Sequence, residues 1–117
     1  MSEKNMRYCL LLDFYGEVLT GNQKEMMDLY YNEDFSLSEI ADEIGITRQG
    51  VRDAVRRAEE TLSGLEDKLG MLARFEALRT QRADILSDLA RLEKISREDG
   101  AAEIIGSVRR KLEQLEI

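Results

Sequence analysis

Residues 36–58, SLSEIADEIGITRQGVRDAVRRA, decide how this chain folds. Ser36-Leu37-Ser38-Glu39 has the form of a capping box, in which a hydroxyl and a carboxylate three residues apart satisfy the free amides at a helix start. A helix from about Leu37 to Glu43 follows, and Gly45 ends it because glycine enters the left-handed cap conformation without steric cost. Thr47 then caps a second helix. Two short helices that cross steeply need a small residue at the contact, a turn glycine and apolar residues sealing both onto a core. Ala41, Gly45 and the set Ile40, Ile44, Ile46, Val51 and Ala54 or Val55 meet these demands. Residues 36–58 therefore read as a helix-turn-helix.

Toward the N-terminus, Leu11, Phe14 or Tyr15, and Val18 recur at three- and four-residue steps, which predicts a helix from Arg7 to about Leu19. Thr20-Gly21-Asn22-Gln23 is another capping box and opens a helix whose apolar face is Met26, Met27, Leu29, Tyr30 and Tyr31. Asn32-Glu33-Asp34 breaks it. Phe14, Tyr15, Tyr30, Tyr31 and Phe35 read as core packing of these helices rather than as stacking platforms for bases.

Toward the C-terminus, Leu62, Leu65, Leu69 and Leu72, then Leu78, Ile85, Leu89 and Leu92, and later Ile105, Val108, Leu112 and Leu115, fall mostly at alternating steps of three and four, like a coiled-coil seam. Gly70 and residues 96–100 interrupt it, giving helices of about Met71–Ile95 and Glu98–Glu116. The expected organisation is a helix-turn-helix domain over residues 1–70 and an α-helical hairpin or bundle extension over 71–117. The N-terminal half has too few apolar residues to cover the whole seam, so a homodimer is expected.

The rest of the composition agrees with an all-α chain. There is no proline, aromatics are 6%, and good helix formers abound. No apolar run approaches the ~18 residues of a membrane span and no secretion signal is visible, so a cytoplasmic protein is expected. Cys9 has no partner for an internal disulfide and sits in an apolar run, where an inert thiol is the expected state. Without histidine, a cysteine pair, a phosphate-binding glycine loop or a clustered set of carboxylates, the sequence offers no enzyme site, metal site or cofactor site.

Charge constrains partners more sharply. The 117 residues carry 17 basic and 24 acidic groups, a net charge of -7, whereas free-standing nucleic-acid binders usually carry a basic excess. Any phosphate-binding footprint must be local. With Val51, Val55, Ala58 and Leu62 facing inward, the opposite face of the second motif helix is expected to present Arg48, Gln49, Arg52, Asp53, Arg56 and Arg57. Together with Thr47, the residues Arg48, Gln49, Arg52, Arg56 and Arg57 are the candidate nucleic-acid contacts, as Arg and Gln bond base edges and phosphates. The competing expectation is a solvated charged face, with Asp53 paired to Arg57 one turn on. Glu39, Asp42, Glu43, Glu59 and Glu60 surround this region, a distribution that RNA, a protein surface or a dimeric DNA complex tolerates better than monomeric duplex binding.

Asp13-Phe14-Tyr15-Gly16, Leu19-Thr20-x-x-Gln23, Leu29-Tyr30-Tyr31-x-x-Asp34-x-Ser36-Leu37-x-Glu39-Ile40-Ala41 and Arg48-Gln49-x-Val51-x-Asp53 together resemble the YlxM family of small bacterial helix-turn-helix proteins. The similarity covers roughly residues 8–75. It implies a fold like the promoter-reading fourth region of sigma factors and a link to the signal recognition particle, which targets nascent membrane and secreted proteins. By position, Arg48, Gln49, Asp53 and Arg57 match the family's recognition-helix pattern, while Gly50 and Arg52 depart from the Ala and Tyr expected there.

Three functions are compatible with these residues. One is an RNA- or ribonucleoprotein-associated module acting on the targeting particle. Another is a dimeric DNA-binding regulator with recognition helices about one turn, ~34 Å, apart. The third is a protein-interaction adaptor that binds through its C-terminal helices.

Overall fold

The computed structural model describes residues 4–117, and every regular element among them is helical. The order is α1 (Arg7–Tyr15), α2 (Gly21–Met27), α3 (Leu37–Ile44), α4 (Arg48–Leu69), α5 (Met71–Ile95) and α6 (Ala101–Glu113). Among the described residues no helix is long and apolar enough to cross a membrane. The chain divides into two compact units, the first ending at Leu72 and the second running from Ala73 to Ile117.

In the first unit α1, α2 and α3 all pack on α4. Val51, Val55, Ala58 and Leu62 recur at three- and four-residue steps along α4 and are buried, forming the stripe that receives Leu11, Leu12, Met27 and Ile40. The expected α1 stripe holds for Leu11 and Tyr15 but not for Val18, which is 62% exposed. The chain tightens into a 3-10 turn at Gly16–Val18, and the larger angular advance per residue of a helix with three residues per turn swings Val18 out and Leu19 in.

Both bonds of the Thr20–Gln23 capping box form, each at 3.2 Å, and α2 begins where the sequence places it. Its continuation widens into a π turn over Asp28–Asn32, which the sequence did not announce. Asp34 then adopts a left-handed conformation, φ 56°. The Lys4 ammonium holds this exit: it donates to the carbonyl oxygens of Tyr30 and Phe35 (2.8 Å for the latter), bonds Asp34 Oδ1 at 3.1 Å, and lies 3.9 Å from the centre of the Tyr30 ring. A cation at a helix C-terminus meets the carbonyl groups that the helix leaves unbonded.

α4 ends at Gly70, whose left-handed φ of 61° lets its N–H return to the Glu66 carbonyl at 2.8 Å. The Glu66 side chain, the buried charged group of this core, accepts from the Tyr15 hydroxyl at 2.7 Å and from the Leu72 N–H at 3.0 Å. The Tyr15 oxygen in turn accepts from the Met71 N–H at 3.1 Å. One carboxylate and one phenol therefore satisfy the first amides of α5 and tie the α4–α5 junction to α1.

In the second unit, Arg109 pairs with Glu93 at 3.3 Å, Arg82 reaches the Leu115 carbonyl at 3.4 Å, and Ile105 is buried. α6 starts at Ala101, after a left-handed Gly100 (φ 85°), rather than near Glu98. Leu78, Ile85 and Leu92, spaced by seven residues on α5, stay 40–47% exposed, so this part of the expected seam is not covered by the described residues.

Replacing Tyr15 by Phe removes one of the donors to a buried carboxylate and should lower unfolding free energy by roughly 1–3 kcal/mol. Val18→Ser should stay within about 0.5 kcal/mol of wild type, as expected for an exposed site. Urea titration followed by circular dichroism distinguishes the two.

Candidate nucleic-acid interface

The motif assembles from local bonds. Ser36 and Glu39 complete their capping box at 2.9 and 3.0 Å. α3 ends at Gly45, φ 84°, whose N–H and that of Ile46 both bond the Ala41 carbonyl, at 2.9 and 3.2 Å. Thr47 accepts from the Gly50 N–H at 3.0 Å and starts α4. Of the expected sealing residues, Ile40, Val51 and Val55 are buried, Ile44 and Ala54 are half-buried, and Ile46 is 44% exposed because it lies in the turn beyond the α3 cap. Two acids in this region have shifted affinities for protons. The bonds from Ser36 hold the Glu39 carboxyl below its ordinary value. Burial, reinforced by a bond to Glu59, pushes the Tyr31 hydroxyl far above its ordinary range.

The arginines do not share a single outer face. At about 100° per residue they fan out from one flank of the buried stripe, Arg48 about 50° from its centre, Arg52 about 90° and Arg56 about 130°. There, with Tyr30, Leu37, Val55 and Glu59, they line a cleft of about 400 Å³ between α4, the π turn and the start of α3. All three are exposed, and among the described residues no ion pair engages them. Arg57 falls on the other flank, about 100° beyond Arg56, and does not line the cleft. The expected Asp53–Arg57 pair is replaced by a bond from Gln49 Nε2 to Asp53 Oδ1, 3.0 Å, so both polar groups are engaged along the helix surface. The oxygen of Thr47 is taken up by its cap.

Two cleft residues were assigned differently by the sequence. Tyr30 reads there as core, yet it is half-buried and forms a cleft wall, edge-on to Tyr31 with ring centres 4.9 Å apart. Glu59 reads as an interruption of the basic helix, yet it accepts from Tyr31 and closes one side of the cleft. The signal available for both was their position one turn apart from an arginine or from a buried residue, but only the π turn brings the two segments together. Cys9, half-buried, donates to the Tyr31 carbonyl at 3.6 Å, and burial followed by the nearby Asp13 raises its thiol pKa, which leaves it a poor nucleophile.

Residues 2–104 match the model of a family described as "Putative helix-turn-helix protein, YlxM / p13 like". The chain belongs to this family. A relative from Acetivibrio thermocellus is 38% identical over 113 residues, 97% of either chain. One from Listeria welshimeri is 45% identical over 89 residues, 76% of this chain and 77% of its own, and one from Desulforamulus reducens is 37% identical over 105 residues, 90% of each. The first and third are named only as proteins of this family, as is the second apart from a locus tag. The resemblance drawn from the motifs in residues 8–75 thus extends well into the C-terminal helices.

The two shifted acids act at opposite ends of the pH scale. Glu39, with a depressed folded pKa, stabilises the fold above the ordinary carboxylate range, and that contribution is lost as pH falls through and below it. Tyr31, with a raised folded pKa, stabilises the fold below the ordinary phenol value of about 10, and that contribution declines as pH rises beyond it. Melting temperatures of Tyr31→Phe should therefore fall less between pH 9 and 11 than those of wild type. Those of Glu39→Gln should fall less between pH 5 and 3.

Proposed function

We propose that this helix-turn-helix protein binds RNA and acts in the signal recognition particle pathway, through contact with the particle's RNA or with the assembled ribonucleoprotein. The observation that carries the reading is the row of exposed arginines, Arg48, Arg52 and Arg56, lining a cleft on α4. Thr47 and Gln49 at the helix start and Arg57 on the far flank complete the proposed contact set. The link to protein targeting comes from the resemblance to YlxM and rests on the motifs in residues 13–53. The exposed face of α3 carries Glu39, Asp42 and Glu43, so the helix that crosses the backbone in a duplex-bound motif would meet phosphates with like charge. That favours RNA over a DNA-binding regulator.

The purified protein should retard the particle's RNA in a native gel. With three arginines on phosphates, log K should fall against log salt with a slope of about −2, using roughly −0.7 per contact for single strands. Changing Arg48, Arg52 and Arg56 together to Glu should abolish the shift while leaving the helical spectrum unchanged. No shift by wild type at low salt overturns the reading, as does equal or tighter binding of random duplex DNA.

The proposal includes a second copy of the chain, bound through α5 in the cytoplasm. Leu78, Ile85 and Leu92 form a heptad row that stays exposed, and such a row is stabilised by packing against another helix. The same row would serve an adaptor. Sedimentation of wild type at tens of micromolar should give a dimer, and Ile85→Glu should give a monomer. A monomeric wild type leaves the row to a different protein.

A further inference from the structure

A helix that reads duplex DNA must project into a groove, yet the arginine row of α4 faces a concavity. Across it lie Tyr30 and Leu37, and the half-open space of about 400 Å³ falls in the size range of clefts that hold small-molecule-sized ligands. One or two nucleotide units fit such a space; a duplex does not. Arg48, Arg52 and Arg56 are set at four-residue steps, so successive guanidinium stems rise by about 6 Å along the axis. That separation suits neighbouring phosphates of an extended strand, each meeting one arginine.

The wall opposite is apolar where Tyr30 and Leu37 line it and acidic where Glu59 does. A carboxylate there repels phosphate but accepts from base edges. Glu59 already takes the Tyr31 hydroxyl, and its two oxygens have further lone pairs to offer. The donor edge that pairs best with a carboxylate is guanine's, with adjacent imino and amino N–H groups, whereas the uracil edge flanks its single N–H with two carbonyl oxygens.

Resting on the reading of α4 as an RNA-binding helix, we propose that the cleft holds an unpaired RNA segment, its backbone along Arg48, Arg52 and Arg56 and one base turned inward to Glu59. Unpaired strands are the usual target of base-specific RNA recognition, since their edges can be splayed into such walls. The Tyr31–Glu59 bond acts here as a positioning contact. It orients the carboxylate from below.

The test is fluorescence anisotropy with the full chain and adenosine decamers carrying one central guanosine or uridine, beside a ten-base-pair RNA duplex. The guanosine decamer should bind at least tenfold more tightly than the duplex and several-fold more tightly than the uridine decamer. Glu59→Gln, whose amide both donates and accepts, should bring the two decamers within about twofold. Arg52→Glu should weaken both decamers at least tenfold, and Lys68→Glu, a matched charge change at the far end of α4, should weaken neither by more than about twofold. Preference for the duplex, equal loss with Lys68→Glu, or equal binding of an acidic peptide overturns the proposal. If the decamers fail while the particle's RNA still binds through Arg48, Arg52 and Arg56, the cleft proposal falls and the broader reading stands; if neither RNA binds, both fall.

Discussion

The buried stripe of α4, Val51, Val55, Ala58 and Leu62, is the constraint on which the rest depends. Three helices close on that one strip, so its phase around the axis settles what every other α4 side chain can do. Shifting the stripe by a single position would turn the helix by about 100° and withdraw the arginines from the cleft. The core and the candidate interface are two readings of the same rotation. Branched and small residues on the inner side let α1, α2 and α3 approach closely, and long arginines beside them cover the margin with their methylene stems while their charged ends stay in water.

Features set by neighbours three or four residues apart were legible from the sequence. Ser36, Gly45, Thr47 and Gly70 mark helix ends through bonds that close locally, so residue type at fixed spacing suffices. The helix-turn-helix and the all-α class followed from them. The 3-10 turn after Tyr15 and the π turn at Asp28–Asn32 were not legible, because each changes the number of residues per turn and no capping pattern at fixed spacing marks such a change. Lys4 was passed over for a related reason. Its partners Tyr30, Asp34 and Phe35 lie 26 to 31 residues away, and no periodic pattern points to them.

The candidate interface was legible in part. Arg48, Arg52 and Arg56 stand out by type and spacing, but the sequence placed them with Gln49, Asp53 and Arg57 on one outer face. An idealised helical wheel has no opposite wall, so it cannot distinguish a solvated flank from the side of a cleft. Tyr30 and Glu59 belong to the site only because the π turn carries the tyrosine toward α4. The net charge of -7 likewise describes the whole molecule and conceals a local row of cations whose field, at physiological salt, extends only about 8 Å.

The clasp formed by Tyr15, Glu66 and the amides of Met71 and Leu72 bears on how this module can travel between proteins. Gly70 looks like a natural seam, since a left-handed glycine so often marks where one helix gives way to the next. A gene cut there would discard Leu72, which fills the core, together with the amides that satisfy a carboxylate sealed from water. The portable piece is therefore slightly longer than its most visible punctuation. Recombination that respects the glycine alone would leave the Glu66 carboxylate without the Leu72 amide, whereas a junction beyond Leu72 keeps the clasp whole.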